Sequence, residues 1–383
     1  MLTIADENMP FAREAFGSLG EVRSLPGRSI GPGDVRGADI LAVRSVTRVD
    51  ERLLSGSRVR FVGTATIGTD HVDTAYLERA GIGFASAPGC NAVSVAEYVV
   101  AALLVLARRH RFSLGEKCLG IIGVGNVGSR VLERSRVLGM KVIANDPPLA
   151  EKTGDPLYRP LEEVIEGADI ITLHVPLTRE GAYPTYHMAN QRFLDRVKPG
   201  AMLFNTSRGA VAGSAALKQA LEDGRLAATV LDVWENEPGI DMELMRRTDI
   251  ATPHIAGYSY DGKIRGTTMI YQAACRHFSL EPAWDAAGLA PASENSIIHP
   301  AGGEHDRGEE LEQAVAAAYD ILADDSRLRQ MAGLPPIERG ARFDSLRREY
   351  PVRREFEAFS IKTTEGVRPE ILRILAGLGF RTG

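Results

Sequence analysis

The chain predicts an α/β protein made of two doubly wound parallel-sheet domains and a small α+β C-terminal domain. Short β-rich segments alternate with helical stretches, the pattern of a parallel sheet covered by helices. The alternation restarts once near Cys118, and residues 284–383 have a different texture from everything before them. A length of 383 residues also exceeds what one compact core accommodates.

Taken in order, residues 2–5, 40–43 and 59–62 read as buried strands of the first sheet. Residues 118–122, 141–145, 169–173, 201–205 and 229–232 supply the second. Between the sets, residues 93–107 have the length and apolar content of a linking helix. Residues 260–278 read as a helix that returns to the first domain. From about Trp284 the chain opens into Pro- and Gly-containing loops. A single amphipathic helix then follows, with Leu311, Val315, Ala318 and Leu322 on one face.

Composition narrows the function classes. A net charge of −5 gives no bulk attraction to nucleic acid or to an anionic membrane. The apolar run 99–107 is far shorter than the ~20 residues that span a bilayer. Residues 1–7 lack the basic and then apolar pattern of a secretory signal. Cys90, Cys118 and Cys275 form no metal-type pair, and their odd number argues against a disulfide framework, so a reducing, cytoplasmic location is expected.

The strongest local motif is Gly123-Val124-Gly125-Asn126-Val127-Gly128, between a strand and a helix. The first glycine allows a tight turn, the second lets backbone approach a pyrophosphate, and the third lets helix pack on strand. The helix N-terminus then offers free N–H groups to the phosphates. Asp146 ends the next strand, where a carboxylate hydrogen-bonds an adenosine ribose and repels a 2′-phosphate, favouring NAD over NADP. The second domain is therefore expected to be a Rossmann domain holding NAD.

Three later strands end in polar residues: Arg208, Glu237 and His254. Ligands gather at that edge of a doubly wound sheet. Taken singly, each has an ordinary structural reading; together they fit one reaction. Oxidising a secondary alcohol needs a base for the hydroxyl proton while hydride leaves the same carbon, and histidine titrates in the useful range. A carboxylate orients the imidazole and favours its protonated form, which suits Glu237. Arg208 can grip a substrate carboxylate with two parallel hydrogen bonds.

With these motifs stand Gly63-Thr64-Ala65-Thr66-Ile67-Gly68-Thr69-Asp70-His71-Val72-Asp73, Ala87-Pro88-Gly89-Cys90-Asn91-Ala92, and His254-Ile255-Ala256-Gly257-Tyr258-Ser259 followed by Gly262-Lys263-Ile264-Arg265-Gly266-Thr267-Thr268. Over roughly residues 1–280 the ordered set resembles the D-isomer-specific 2-hydroxyacid dehydrogenase family. Ala212-Gly213 departs from the family's more usual Val-Asp. The resemblance implies Arg208 for substrate binding, Glu237 as the histidine's partner and His254 as acid/base. It also implies cofactor contacts at Asn126, Val127, Asp146, Val175, Thr206, Ser207, Arg208, Asp232 and Gly257, and substrate contacts at Ser45, Thr66 and Tyr258. No metal is expected. Asp70, His71 and Asp73 offer ligand types without a closed coordination set, and hydride transfer needs none.

The expected division is a substrate-binding domain at 1–93 and 259–283, an NAD domain at 94–258, and a C-terminal dimerisation domain at 284–383. Hinges are expected near 91–93 and 257–260. The homodimer is implied by a resemblance to family members with such an extension, as is a small phosphorylated 2-hydroxy acid as substrate. Arg44, beside Ser45, and one or both of Arg347 and Arg348 are candidates for its phosphate, since a guanidinium fork donates two hydrogen bonds to that group. Arg353 and Arg354 read instead as a solvated helix face balanced by Glu349 and Glu355. A 3-phosphoglycerate dehydrogenase would share the catalytic residues, and an NAD-sensing protein of the same fold would share the motifs.

Overall fold

A computed structural model describes residues 1–290, 296–300, 307–362 and 367–382. Part of the loop region expected after Trp284 falls on 291–295 and 301–306, outside the described residues. The chain divides into two compact units, Met1–Val93 with Tyr258–Ala292, and Ser94–Gly257 with Ser293–Gly383.

The first unit is built on five parallel strands: β1 (Leu2–Asp6), β2 (Glu21–Leu25), β3 (Ile40–Val43), β4 (Phe61–Thr64) and β5 (Gly83–Ala85), ordered β2-β1-β3-β4-β5. Strand periodicity divides its core. Ala5, Ile40, Ala42 and Phe61 face one way, toward Phe16, Ile270 and Tyr271. Ile4, Leu41, Val43 and Val62 face the other, toward Leu53 and Leu77. The helix Tyr260–His277 supplies Ile270 and Tyr271, so the returning segment completes this core. β2 and β5 were absent from the sequence expectation. Both lie at sheet edges and lack fully buried residues; polar residues interrupt β2, and β5 is only three residues long.

The second unit has six parallel strands: β6 (Cys118–Ile122), β7 (Lys141–Asn145), β8 (Ile170–Leu173), β9 (Ala201–Asn205), β10 (Leu226–Leu231) and β11 (Ile250–Ala251). Their order is β11-β10-β9-β8-β6-β7. The sequence of strands reverses at β6 here and at β1 in the first unit. In such sheets that reversal opens the ligand crevice at the strands' carboxyl ends.

Among the described residues beyond 296, β12 (Ile297–Ile298), β13 (Ser360–Ile361) and β14 (Arg381–Thr382) form a small three-stranded parallel sheet, accompanied by four α-helices. Two expectations for this region are corrected. The single amphipathic helix is two, Arg307–Ala318 and Ile321–Arg329, because the Asp320 carboxylate accepts from the Leu322 and Ala323 N–H groups and starts a new N-terminus. Leu322 therefore lies on a different helix from Leu311. Arg353 is not on a solvated face: it is 6% exposed and Glu355 3%. The Arg353 guanidinium donates to the Ser94 carbonyl at 2.8 Å and the Ala256 carbonyl at 3.1 Å, and stacks on Tyr319. Burying a guanidinium demands such partners, and backbone carbonyls supply them.

The helices Ile321–Arg329 and Pro336–Arg348 belong to the same core as the six-stranded sheet. Leu328, Met331, Phe343 and Leu346 pack in one cluster with Leu203, Leu231 and Trp234. Phe343 is fully buried. Phe343→Ala is therefore expected to cost about 3–5 kcal/mol in chemical denaturation. A loss below about 1 kcal/mol would show that the C-terminal helices do not share that core.

Candidate active site

The glycine-rich turn after β6 has the three properties its spacing predicts. Gly123 takes a positive φ of 87°, and a Cβ there meets the His174 carbonyl oxygen at 2.8 Å. A Cβ on Gly128 collides with the Gly123 carbonyl, so the helix Asn126–Val137 sits directly on the turn. A Cβ on Gly125 meets nothing within 4 Å. Gly125 thus borders open space at the head of a 12-residue helix whose first residues are Asn126 and Val127. Backbone N–H groups and helix dipole there fit a pyrophosphate.

Asp146 closes the next strand. One carboxylate oxygen accepts from Val124 N–H at 2.8 Å, and the other caps the helix Pro147–Thr153 through Leu149 N–H at 3.1 Å. Each oxygen keeps lone-pair capacity for a ribose hydroxyl. Val175 follows β8 after His174, a residue that sequence reasoning passed over. Its ring bonds Thr172 Oγ1 at 2.9 Å and Thr206 Oγ1 at 3.2 Å, and burial pushes the imidazole down to about 3, so it is a neutral strut for the Thr206 turn. Asn205 is the second unpredicted support. Its side chain accepts from Ser207 N–H and Oγ and donates to the Arg208 carbonyl.

His254 and Glu237 meet: Nδ1 lies 2.8 Å from Oε2. The other Glu237 oxygen accepts from Trp234 N–H at 2.8 Å. Burial alone would raise the Glu237 carboxyl. The charge and hydrogen bond of His254, the Trp234 N–H and the nearby Arg347 outweigh it and hold the acid below its ordinary value. With Nδ1 engaged, Nε2 is the ring nitrogen left to exchange a proton with a substrate.

The imidazole is held by its backbone. His254 has φ 58°, in the left-handed region that few non-glycine residues adopt. Asp232, at the end of β10, fixes it there. The Asp232 carbonyl accepts from His254 N–H at 2.7 Å, while its carboxylate accepts from Thr252 Oγ1, Ile255 N–H and Ala256 N–H at 2.6, 2.8 and 3.0 Å. Asp232 is 2% exposed, and burial raises its carboxyl against those bonds. Gly257 follows this pinned segment.

Arg208 is half-buried, and its Nη1 donates to the Ser207 carbonyl at 2.8 Å. The next residue, Gly209, has no room for a Cβ because the Trp234 carbonyl and Glu235 amide fill that space. The turn bearing the guanidinium therefore presses on the loop bearing Glu237.

In the first unit, Ser45 is exposed while Arg44, Thr66 and Tyr258 are half-buried. Thr66 Oγ1 donates to the Gly68 carbonyl and bonds Thr64, which also bonds His71 Nε2 at 3.0 Å. Asp73 caps the helix Thr74–Arg79. Among the described residues no group of three or more His, Cys, Asp or Glu is arranged to hold a metal ion. Of the C-terminal arginines, Arg348 is exposed and paired with Glu349, whereas Arg347 acts electrostatically on Glu237 of its own chain. A cavity of about 760 Å³ elsewhere in the second unit, lined by Leu104, Arg108, Phe112 and Leu138, includes none of these residues.

Residues 104–256 match the D-isomer specific 2-hydroxyacid dehydrogenase, NAD binding domain, and residues 291–379 match a domain of unknown function, DUF3410. Over 382 residues the chain is 46% identical to an erythronate-4-phosphate dehydrogenase of Escherichia fergusonii, covering 99% of this chain and 98% of that one. D-lactate dehydrogenase from Aquifex aeolicus, solved with NAD and lactic acid, superposes with a TM-score of 0.59 at 27% identity over 73% of this chain and 96% of that one. The NAD+-bound 3-phosphoglycerate dehydrogenase of Entamoeba histolytica gives 0.64 at 25% identity over 73% and 95%. A reversed-order parallel sheet with a pyrophosphate cradle, a histidine–carboxylate pair at its edge and this full-length likeness lead to one assignment: the chain belongs to the erythronate-4-phosphate dehydrogenases, within the NAD-dependent D-isomer-specific 2-hydroxyacid dehydrogenase family.

Proposed function

We propose that the chain oxidises 4-phospho-D-erythronate at carbon 2 to 2-oxo-3-hydroxy-4-phosphobutanoate, with NAD as hydride acceptor, in pyridoxal 5′-phosphate (vitamin B6) biosynthesis. The observation that carries the chemistry is the 2.8 Å contact between His254 Nδ1 and Glu237 Oε2 at the strand-end edge. Likeness to named relatives over nearly the whole chain supports the substrate, and favours it over 3-phosphoglycerate.

NAD, when bound, supplies the acceptor for hydride; the cradle at Gly123, Gly125, Asn126, Val127 and Gly128, with Asp146 beside it, fits its pyrophosphate and ribose. In this reading Val175, Thr206, Ser207, Asp232 and Gly257 complete the cofactor's surroundings. His254 Nε2 takes the hydroxyl proton, and the Glu237 carboxylate stabilises the imidazolium across Nδ1–H. Arg208 donates to the substrate carboxylate and steadies the charge growing on the reacting oxygen. Ser45, Thr66 and Tyr258 are assigned further substrate contacts, and Arg44 the phosphate. Arg347 is retained as a candidate substrate contact; Arg348 is the weaker one, being engaged by Glu349.

A homodimer formed through the C-terminal domain is part of the proposal. Exposed apolar side chains support it: Ile297, Ile337 and Val352 are 52%, 90% and 69% accessible there, and covering apolar surface drives association. A cytoplasmic location fits three cysteines that are all free thiols.

His254→Ala is expected to lower kcat by about 10²- to 10⁴-fold, the usual share of a general base, while the affinity for NADH holds. Turnover near wild type with 4-phospho-D-erythronate would remove the histidine from the chemistry. Acid pH supplies a second test. Glu237's carboxyl is depressed, so its contribution to activity and stability is complete above the ordinary carboxylate value and is lost as pH falls through the lower folded value. In Glu237→Gln, kcat should be reduced at all pH values and that acid loss of stability should disappear. An acid profile identical to wild type would show that Glu237 is not the group responsible.

A further inference from the structure

In the first unit strand order reverses between β1 and β3, and doubly wound sheets take ligands at the carboxyl ends of the strands at such a reversal. Arg44 follows β3 directly, and its Nη1 donates to the carbonyl of Asn8, two residues beyond β1, at 3.4 Å. The guanidinium therefore stands at that reversal. A second cation reaches the same place from the first turn of the helix Tyr260–His277. Arg44 Cζ lies 5.6 Å, and Lys263 Nζ 5.4 Å, from the centroid of the Tyr258 ring.

One ring does not neutralise two cations. Its attraction for each is weak, and the two repel each other. Neither Arg44 nor Lys263 forms an ion pair with a carboxylate among the described residues. Burial and then the Arg44 charge push the half-buried Lys263 ammonium down to about 8. The unit thus assembles positive charge that its own acids leave uncompensated, at the edge where doubly wound sheets take ligands. Exposed Ser45 places a hydroxyl beside it. NAD's phosphates have their own cradle at Gly123–Gly128, so a different oxyanion is called for.

We propose that Arg44 and Lys263, flanking Tyr258, form a phosphomonoester site that takes the 4-phosphate of the substrate and sets the preference for phosphorylated over free hydroxy acids. The inference rests on the functional reading above and adds Lys263 to it. Arg44 supplies a two-pronged guanidinium, Lys263 a compact point charge, and a phosphate dianion relieves their mutual repulsion.

The test compares wild type with Lys263→Met, Lys263→Arg and Arg44→Gln. The first readout is kcat/KM for 4-phospho-D-erythronate relative to unphosphorylated D-erythronate. Inorganic phosphate binding by calorimetry and NADH affinity are the others. Removing one charge-assisted hydrogen bond should lower that preference by about 10- to 100-fold in Lys263→Met and in Arg44→Gln, with Lys263→Arg restoring part of it. Phosphate binding should weaken by a similar factor while NADH affinity holds, which also shows that the variants are folded. An unchanged preference and unchanged phosphate affinity in both charge-removing variants overturn the site, as does a loss confined to NADH. Should wild type fail to oxidise the phosphorylated acid at all, the functional reading fails instead. Loss of phosphate binding in Lys263→Met would then still support the site.

Discussion

A buried carboxylate must be satisfied or neutralised, and the candidate site is organised around the way Asp232 meets that demand. Thr252, Ile255 and Ala256 all donate to its side chain, and His254 donates to its carbonyl. Four bonds from four of five consecutive residues leave the segment one conformation, with a histidine held at positive φ. Left-handed backbone at such a residue carries strain, and an over-determined hydrogen-bond set is what lets it persist. The imidazole is thereby presented to Glu237 before any ligand arrives, an arrangement that suits the proposed proton transfer because it needs little reorganisation.

The same segment is gripped from its other side by the C-terminal region. Arg353 holds the Ala256 carbonyl while Asp232 holds the Ala256 N–H, and its second contact is with Ser94. Ser94 and Gly257 are the first and last residues of the long segment between the two points where the chain passes between its units. The C-terminal helices contribute to the core beneath the loop through Phe343 and Leu346, and Arg347 adds its charge to the field at Glu237. The C-terminal region is therefore part of the framework that carries the histidine and its acid.

Much of the fold was legible because most of its strands are buried and read as apolar runs, and even the edge strand β7 carries the run Val142-Ile143-Ala144. The strands 40–43, 118–122, 141–145 and 201–205 have the limits their sequence indicates. β2 was not legible because Glu21, Arg23 and Ser24 interrupt it, and β5 because it is only three residues long. In the site, residue types at strand ends pointed to Arg208, Glu237 and His254. The supports did not announce themselves. His174 and Asn205 act by bonding a turn more than 30 residues away or a few residues ahead, and only the fold reveals which. Arg353 misled for the opposite reason. A run of arginines and glutamates looks solvated, and nothing local says that one guanidinium turns inward onto two carbonyls.

The central claim is removal of hydride from carbon 2 of the phosphorylated acid by a site whose base is already in place. The most direct measurement follows the label from 4-phospho-D-erythronate deuterated at carbon 2, with NAD present and the reduced cofactor analysed by mass spectrometry. The account predicts singly deuterated NADH formed together with the 2-oxo acid. Unlabelled NADH, or no reduction with this substrate, would contradict it.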